Sequence, residues 1–348
     1  MVSPSPARDE AMSSCKGNLV PSFAETDSCG YRMALQTLPW LTVSGYGAHI
    51  KSTPTQLIIQ RKGEVRNYPL RSVHHLVIAG GHTIHTSVIT NILKAGGAIS
   101  FLDQDSTPIG FLHPPLRHPD EEIRALQKLA PAHRYALALA VAATRARILR
   151  LEKFREDEHR QVLYKGELEF LTTSLREMEF LVKLDEVRRL FSLASDMYYE
   201  ILSRTLPPGL GFRRRTRRPH QDPVNAMLSF GYAMLFSQCM RAVSGANLDP
   251  DLGMLHEGTG SFVYDLIEPL KPGMVDDIVF RIARQGLPEG DYEYGDRRCH
   301  LSEGLIERLL SGLSGSVQGG AIDSLVAGFR ESLIHNRPFT FPEEGSGQ

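Results

Sequence analysis

Little in this chain points to covalent staples, a membrane, or bulk attraction to a charged partner. It has four cysteines in 348 residues, Cys15, Cys29, Cys239 and Cys299. They are widely spaced, which excludes both a dense disulfide framework and the paired spacing of a zinc site. A reducing cytoplasm is the simplest setting. No stretch approaches about 18 uninterrupted apolar residues, so a membrane span is not expected. Residues 1–30 are rich in Ser, Pro and acidic side chains, lack the basic start and apolar core of a secretory signal, and read as a disordered tail; residues 336–348, ending FPEEGSGQ, read as a flexible one. The formal net charge is -1, so any nucleic-acid surface must arise from local segregation of charge. There is no internal repeat.

With 42% apolar and 23% charged residues, the chain is long enough for two packed domains. From Trp40 to about Pro115 short apolar runs alternate with turns. Gln56 to Gln60, then Lys62-Gly63 and another short run, has the pattern of a β-hairpin. Thr83 to Lys94 has helical spacing and stops at Ala95-Gly96-Gly97, where glycine accepts a left-handed cap. After HPPLRHPDEE the texture changes, and Asp120 to Leu206 is nearly all helix-forming. The boundary therefore falls near residues 113 to 120, separating a small mostly-β domain (31–117) from a larger helical domain (118–335).

The chemistry gathers between Leu248 and Asp277, reading LDPDLGMLHEGTGSFVYDLIEPLKPGMVDD. His256 lies in a Gly-rich loop ahead of a helical segment carrying Asp265 and Glu268. Residues three apart on a helix share a face, so both carboxylates can point at one spot. A histidine and two carboxylates converging suit a divalent cation of the Mg2+ or Mn2+ kind. Upstream, LGFRRRTRRPHQDP crowds Arg213, Arg214, Arg215, Arg217 and Arg218 together. Such a run is often only a solvated loop; beside an acidic metal site its forked donors also suit phosphate.

Residues 222 to 280, from DPVNAMLSFGYAML to KPGMVDDIVF, resemble the core of the CRISPR-associated adaptation integrase, the first-numbered protein of the Cas series. LTVSGYGAHIK, VHHLVIAGGHTIHTSVI and ISFLDQDSTPIGFL resemble its N-terminal domain, and the resemblance covers roughly residues 38 to 335. It implies an α+β multidomain architecture, with a small β-sandwich-like domain followed by a larger all-α catalytic domain. It also implies a homodimer that works with a small ferredoxin-like adaptation partner protein on double-stranded and branched DNA. The implied activity is that of a metal-dependent DNA endonuclease and integrase, joining captured fragments to a repeat array by phosphodiester transesterification. Such chemistry asks mainly for charge stabilisation and positioning.

The same resemblance assigns metal-ligand roles to His256 and Glu268 and a supporting one to Asp265. It places Lys271 where a phosphate contact is expected, and Tyr198 and Asn225 by the DNA-facing wall. One position departs from it. The family's Glu-Gly-x-Ala-Ala-x-x-Tyr falls on Phe191 to Tyr198, so Phe191 stands at the first ligand Glu. Phenylalanine cannot bind a hard cation. Two outcomes follow: an active enzyme completed by water and DNA phosphates, or a catalytically impaired DNA-binding homologue serving as a structural subunit. His74, His75, His82 and His85 cluster in the β-domain and suit local hydrogen bonding better than a second metal site.

Overall fold

The computed structural model describes residues 41–114, 120–158 and 163–341. Cys15, Cys29, the N-terminal tail, the centre of the domain junction and residues 342–348 of the C-terminal tail lie outside the described residues. Strands β1 (Leu41–Ser52), β2 (Gln56–Arg61), β3 (Glu64–Pro69), β4 (His75–Ile84), β5 (Ala98–Leu102) and β6 (Pro108–Leu112) form one six-stranded sheet in the order β3-β2-β1-β4-β5-β6. The β2–β3 hairpin turns at Lys62 and Gly63, both with positive φ, the conformation a two-residue hairpin loop demands. Helix α1 (Thr86–Lys94) crosses from β4 to the parallel strand β5. It starts three residues later than the apolar spacing suggests, because the His85 side chain accepts from Ser87 N–H and caps it. Short apolar runs cannot say how many sheets they build; here there is a single mixed sheet instead of two facing ones.

Strand β4 explains how the sheet is seated. Its residues alternate between two cores: Leu76 and Ile78 pack with Val88 and Ile92 of α1, whereas Val77 packs into the helical core. Gly80 of β4 passes so close to β1 that an added Cβ would lie 2.0 Å from the Gly45 carbonyl oxygen.

The remainder is α2 (Glu121–Leu129), α3 (Ala132–Glu158), α4 (Glu167–Met178), α5 (Leu184–Ser203), α6 (Pro223–Gly245), α7 (Ser261–Ile267), α8 (Asp277–Arg284), α9 (Glu303–Ser316) and α10 (Gly319–Ile334). A short ribbon of β7 (Tyr292–Tyr294) and β8 (Cys299–Leu301) interrupts it, so this region is not purely helical. Helix α6 is capped by Asp222 and buried on almost every side, as its predominantly apolar composition requires. Burying each large apolar side chain there contributes about 1.5–3 kcal/mol. Between α7 and α8 the chain widens into a π turn over Pro272–Asp276. Pro272 has no N–H to return to the Glu268 carbonyl, which opens the helix there. The turn presses on α6 at Gly231, where a Cβ would meet Val275 at 2.5 Å. No described helix is long and apolar enough to cross a membrane.

Candidate nucleic-acid site

Glycines build the loop that delivers His256. Gly258 and Gly260 take φ of 98° and 70°, a region costly for other residues, and Gly260 precedes α7. Asp265 on α7 is fully buried and collects the loop's donors. It accepts backbone N–H bonds from Met254 (2.5 Å), Leu255 (2.9 Å) and His256 (2.7 Å), and the His256 Nδ1 lies 2.8 Å from its Oδ1. A carboxylate only accepts, so Nδ1 carries the proton and Nε2 presents a lone pair. Arg188 of α5 binds the loop from outside through the carbonyls of Leu255 and Met254 and the Glu257 carboxylate.

Glu268 lies one helical turn beyond Asp265, and its side chain is 8% exposed. Arg147 Nη2 of α3 donates to its Oε2 at 2.7 Å. Lys271 Nζ donates to its Oε1. His256 Nε2 stands 3.8 Å from that same oxygen. Burial alone would raise the Glu268 pKa, but Lys271 and Arg147 outweigh it and hold the carboxyl at about 2. Burial lowers the Lys271 pKa despite its carboxylate partner.

Phe191 closes the third side. Its ring meets the His256 ring edge-on at 6.4 Å and has the Arg147 guanidinium 4.9 Å from its centroid. Sequence spacing thus brings His256, Asp265, Glu268, Lys271 and Phe191 to one place. Tyr198 lies on the buried side of this group: its ring is 5.9 Å from the Arg147 guanidinium, and its hydroxyl donates to Asp276 Oδ2 at 3.0 Å. Tyr232 donates to Asp276 Oδ1, and the Tyr199 and Tyr232 hydroxyls are 2.7 Å apart. Burial pushes Asp276 up to about 6, against the pull of those tyrosine hydrogen bonds and Arg147.

The arginine run divides. Arg213, Arg214 and Arg217 are exposed. Arg215 turns inward, donating to Asn225 Oδ1 (2.6 Å) and Ser229 Oγ (3.1 Å) and lying over the Tyr232 ring. Arg218 donates to the Ser106 carbonyl at 3.2 Å in the β5–β6 turn. Asn225 is buried at the start of α6, bonded to Arg214 O and Asp222; neither it nor Tyr198 reaches the surface. The same Tyr232 ring also carries Lys271, 4.8 Å from its centroid, so one aromatic ring joins the basic loop to the acidic centre. Beside His256, Tyr264 with Phe236 and Phe111 lines a cavity of about 330 Å³.

A resident divalent ion does not fit this arrangement. Among the described residues no three His, Cys, Asp or Glu side chains are placed to hold a metal. Both Asp265 oxygens are occupied by four N–H donors, and both Glu268 oxygens by two cations. Arg147, Arg188 and Asp276 escaped the sequence reading. Arg147 carried a signal: it sits in register with the apolar positions Ala140, Ala143 and Leu151 of α3, where a charge demands a buried partner.

The family described as "CRISPR associated protein Cas1" matches residues 41–314. The chain belongs to the Cas1 family. A Cas1-type protein of Methanospirillum hungatei is 42% identical over 299 residues, covering 86% of this chain and 99% of its own length. The CRISPR-associated endonuclease Cas1 1 of Thermus thermophilus is 32% identical, covering 79% and 88%. A casposase bound to integration product shares the fold, with a TM-score of 0.77 at 18% identity over 89% of this chain and 95% of that one. Both of these relatives carry the name of CRISPR-associated endonucleases, and the likeness to the casposase is one of fold.

Proposed function

We propose that this chain serves CRISPR adaptation as a DNA-holding Cas1 subunit, silent in divalent-metal-dependent cutting and joining. One observation carries the reading: Glu268 is neutralised from both sides by Arg147 and Lys271, with Phe191 against the third. A dication there would face two protein cations across a single carboxylate. DNA would lie over the exposed Arg213, Arg214 and Arg217, with an unstacked base in the cavity beside Tyr264. Its partners would be those of the family: a second copy of the chain and a small ferredoxin-like adaptation protein.

The test is incubation with duplex and branched DNA in Mg2+ or Mn2+, beside His256→Ala. The proposal expects tight, salt-sensitive binding by both proteins and product from neither. Product from the parent that disappears in His256→Ala would establish the alternative, an active metal-dependent enzyme. That alternative has one observation in its favour, the 3.8 Å approach of His256 Nε2 to Glu268 Oε1, which leaves room for bound DNA to bring an ion.

A further inference from the structure

We infer that Arg147 is the resident cation of this site: its guanidinium takes the electrostatic place of a divalent ion, and the Phe191 ring packs against it where a second carboxylate would otherwise compete for it. The inference rests on the metal-silent reading and explains it. Arg147 is 1% exposed, in the middle of the long helix α3, a position that is costly unless a buried charge answers it. Glu268 supplies that charge at 2.7 Å. The Arg147 Nε and Nη1 have no hydrogen-bond partner; instead the guanidinium carbon lies 4.9 Å from the Phe191 ring and 5.9 Å from the Tyr198 ring. Aromatic faces offer a cation partial negative charge without a carboxylate.

Charge counting gives the consequence. Asp265 is set aside, its charge already held by four N–H donors; Glu268 then faces Arg147 and Lys271, and the sum over these three is positive. A glutamate at 191 would add a carboxylate close to the guanidinium, whose unpartnered Nε and Nη1 would take it as an ion pair. Two carboxylates and two protein cations then cancel, and nothing draws a dication. Removing Arg147 as well leaves two carboxylates, one lysine and the His256 lone pair, a set with net negative charge and three donors. Position 191 alone therefore does not decide metal binding; positions 147 and 191 decide it together.

Four proteins test this: the parent, Phe191→Glu, Arg147→Leu, and the double variant Phe191→Glu/Arg147→Leu. Binding of Mn2+ alone is read by loss of the free-ion paramagnetic resonance signal, with circular dichroism reporting the fold. The expected result is saturable one-ion binding in the double variant, at least tenfold tighter than in either single variant. Phe191→Glu binding as tightly as the double variant would overturn the inference, and so would a folded double variant no better than the parent. Should the double variant fail to fold, stability decides: Arg147→Leu should lower the melting temperature, and Glu268→Gln added to it should restore part of the loss. Additive losses would sink the pairing. DNA affinity of the parent, measured without metal, fails separately if the DNA-holding function is wrong.

Discussion

The loop that presents His256 depends on one buried carboxylate, and Asp265→Asn removes half of what it does. An amide keeps one acceptor oxygen and turns an NH2 toward whichever pair of donors it replaces. Of the four N–H groups now bonded to Asp265, those sharing Oδ1, the His256 backbone and its Nδ1, differ from the Met254 and Leu255 pair on Oδ2. With the NH2 in place of Oδ2 two backbone donors face a donor; in place of Oδ1 the His256 backbone N–H does, and the imidazole must shift its proton to Nε2 to accept. A hydrogen bond to a charged acceptor contributes about 1.5–3 kcal/mol, and a buried unpaired donor costs about as much. The loss should be on the order of 3–5 kcal/mol, or roughly 4–7 °C in melting temperature for a chain of this size. Thermal and urea unfolding followed by circular dichroism measure it, with Asp196→Asn on the exposed side of α5 as a control expected to stay within about 0.5 kcal/mol. An Asp265→Asn protein as stable as the control would refute the claim that this carboxylate organises the loop.

Replacing Arg213, Arg214 and Arg217 together by Ala should weaken DNA binding and flatten its salt dependence by about one unit of slope per lost phosphate contact; Arg215→Ala should instead show its main effect in unfolding, since that side chain braces α6. Asp276 has its carboxyl pushed up to about 6 from an ordinary 3.8, so its protonated form is favoured by folding. Its contribution is fully present below 3.8 and is lost as pH rises through 6, a difference of about 3 kcal/mol. Asp276→Asn should accordingly gain stability relative to the parent between pH 4 and pH 7 in urea titrations, and a pH-independent gap would contradict this. Gly80→Ala should cost more than about 3 kcal/mol, read as insoluble or early-melting protein, because its Cβ would collide with the Gly45 carbonyl.

Local chemistry was legible where neighbours in sequence are neighbours in space. Lys62-Gly63 announced a hairpin, Ala95-Gly96-Gly97 the end of a helix, and the i, i+3 spacing put Asp265 and Glu268 on one helical face. The roles were harder to read than the places. Asp265 faces the expected spot, yet the glycine loop folds back and occupies both of its oxygens, which spacing cannot foretell. Phe191 was visible as a misfit, but its meaning required Arg147, which meets Glu268 across 121 residues of chain. Long-range pairs of this kind leave only an indirect trace, a charge in register with an apolar stripe. The ribbon of β7 and β8 left less, because YEYGDRRCHL is polar and short.

The widened turn over Pro272–Asp276 also constrains chain length. Side chains before it face the acidic centre, while Asp276 at its end meets the Tyr198 and Tyr232 hydroxyls. Each residue in a helix advances the phase by about 100°. Deleting a single residue there would swing Asp276 away from its tyrosines and turn α8 on its seat against α6, whatever amino acids remained. Between Glu268 and Asp276 the spacing is therefore a gauge block, and homologues that substitute freely in this segment should still carry the same number of residues through it.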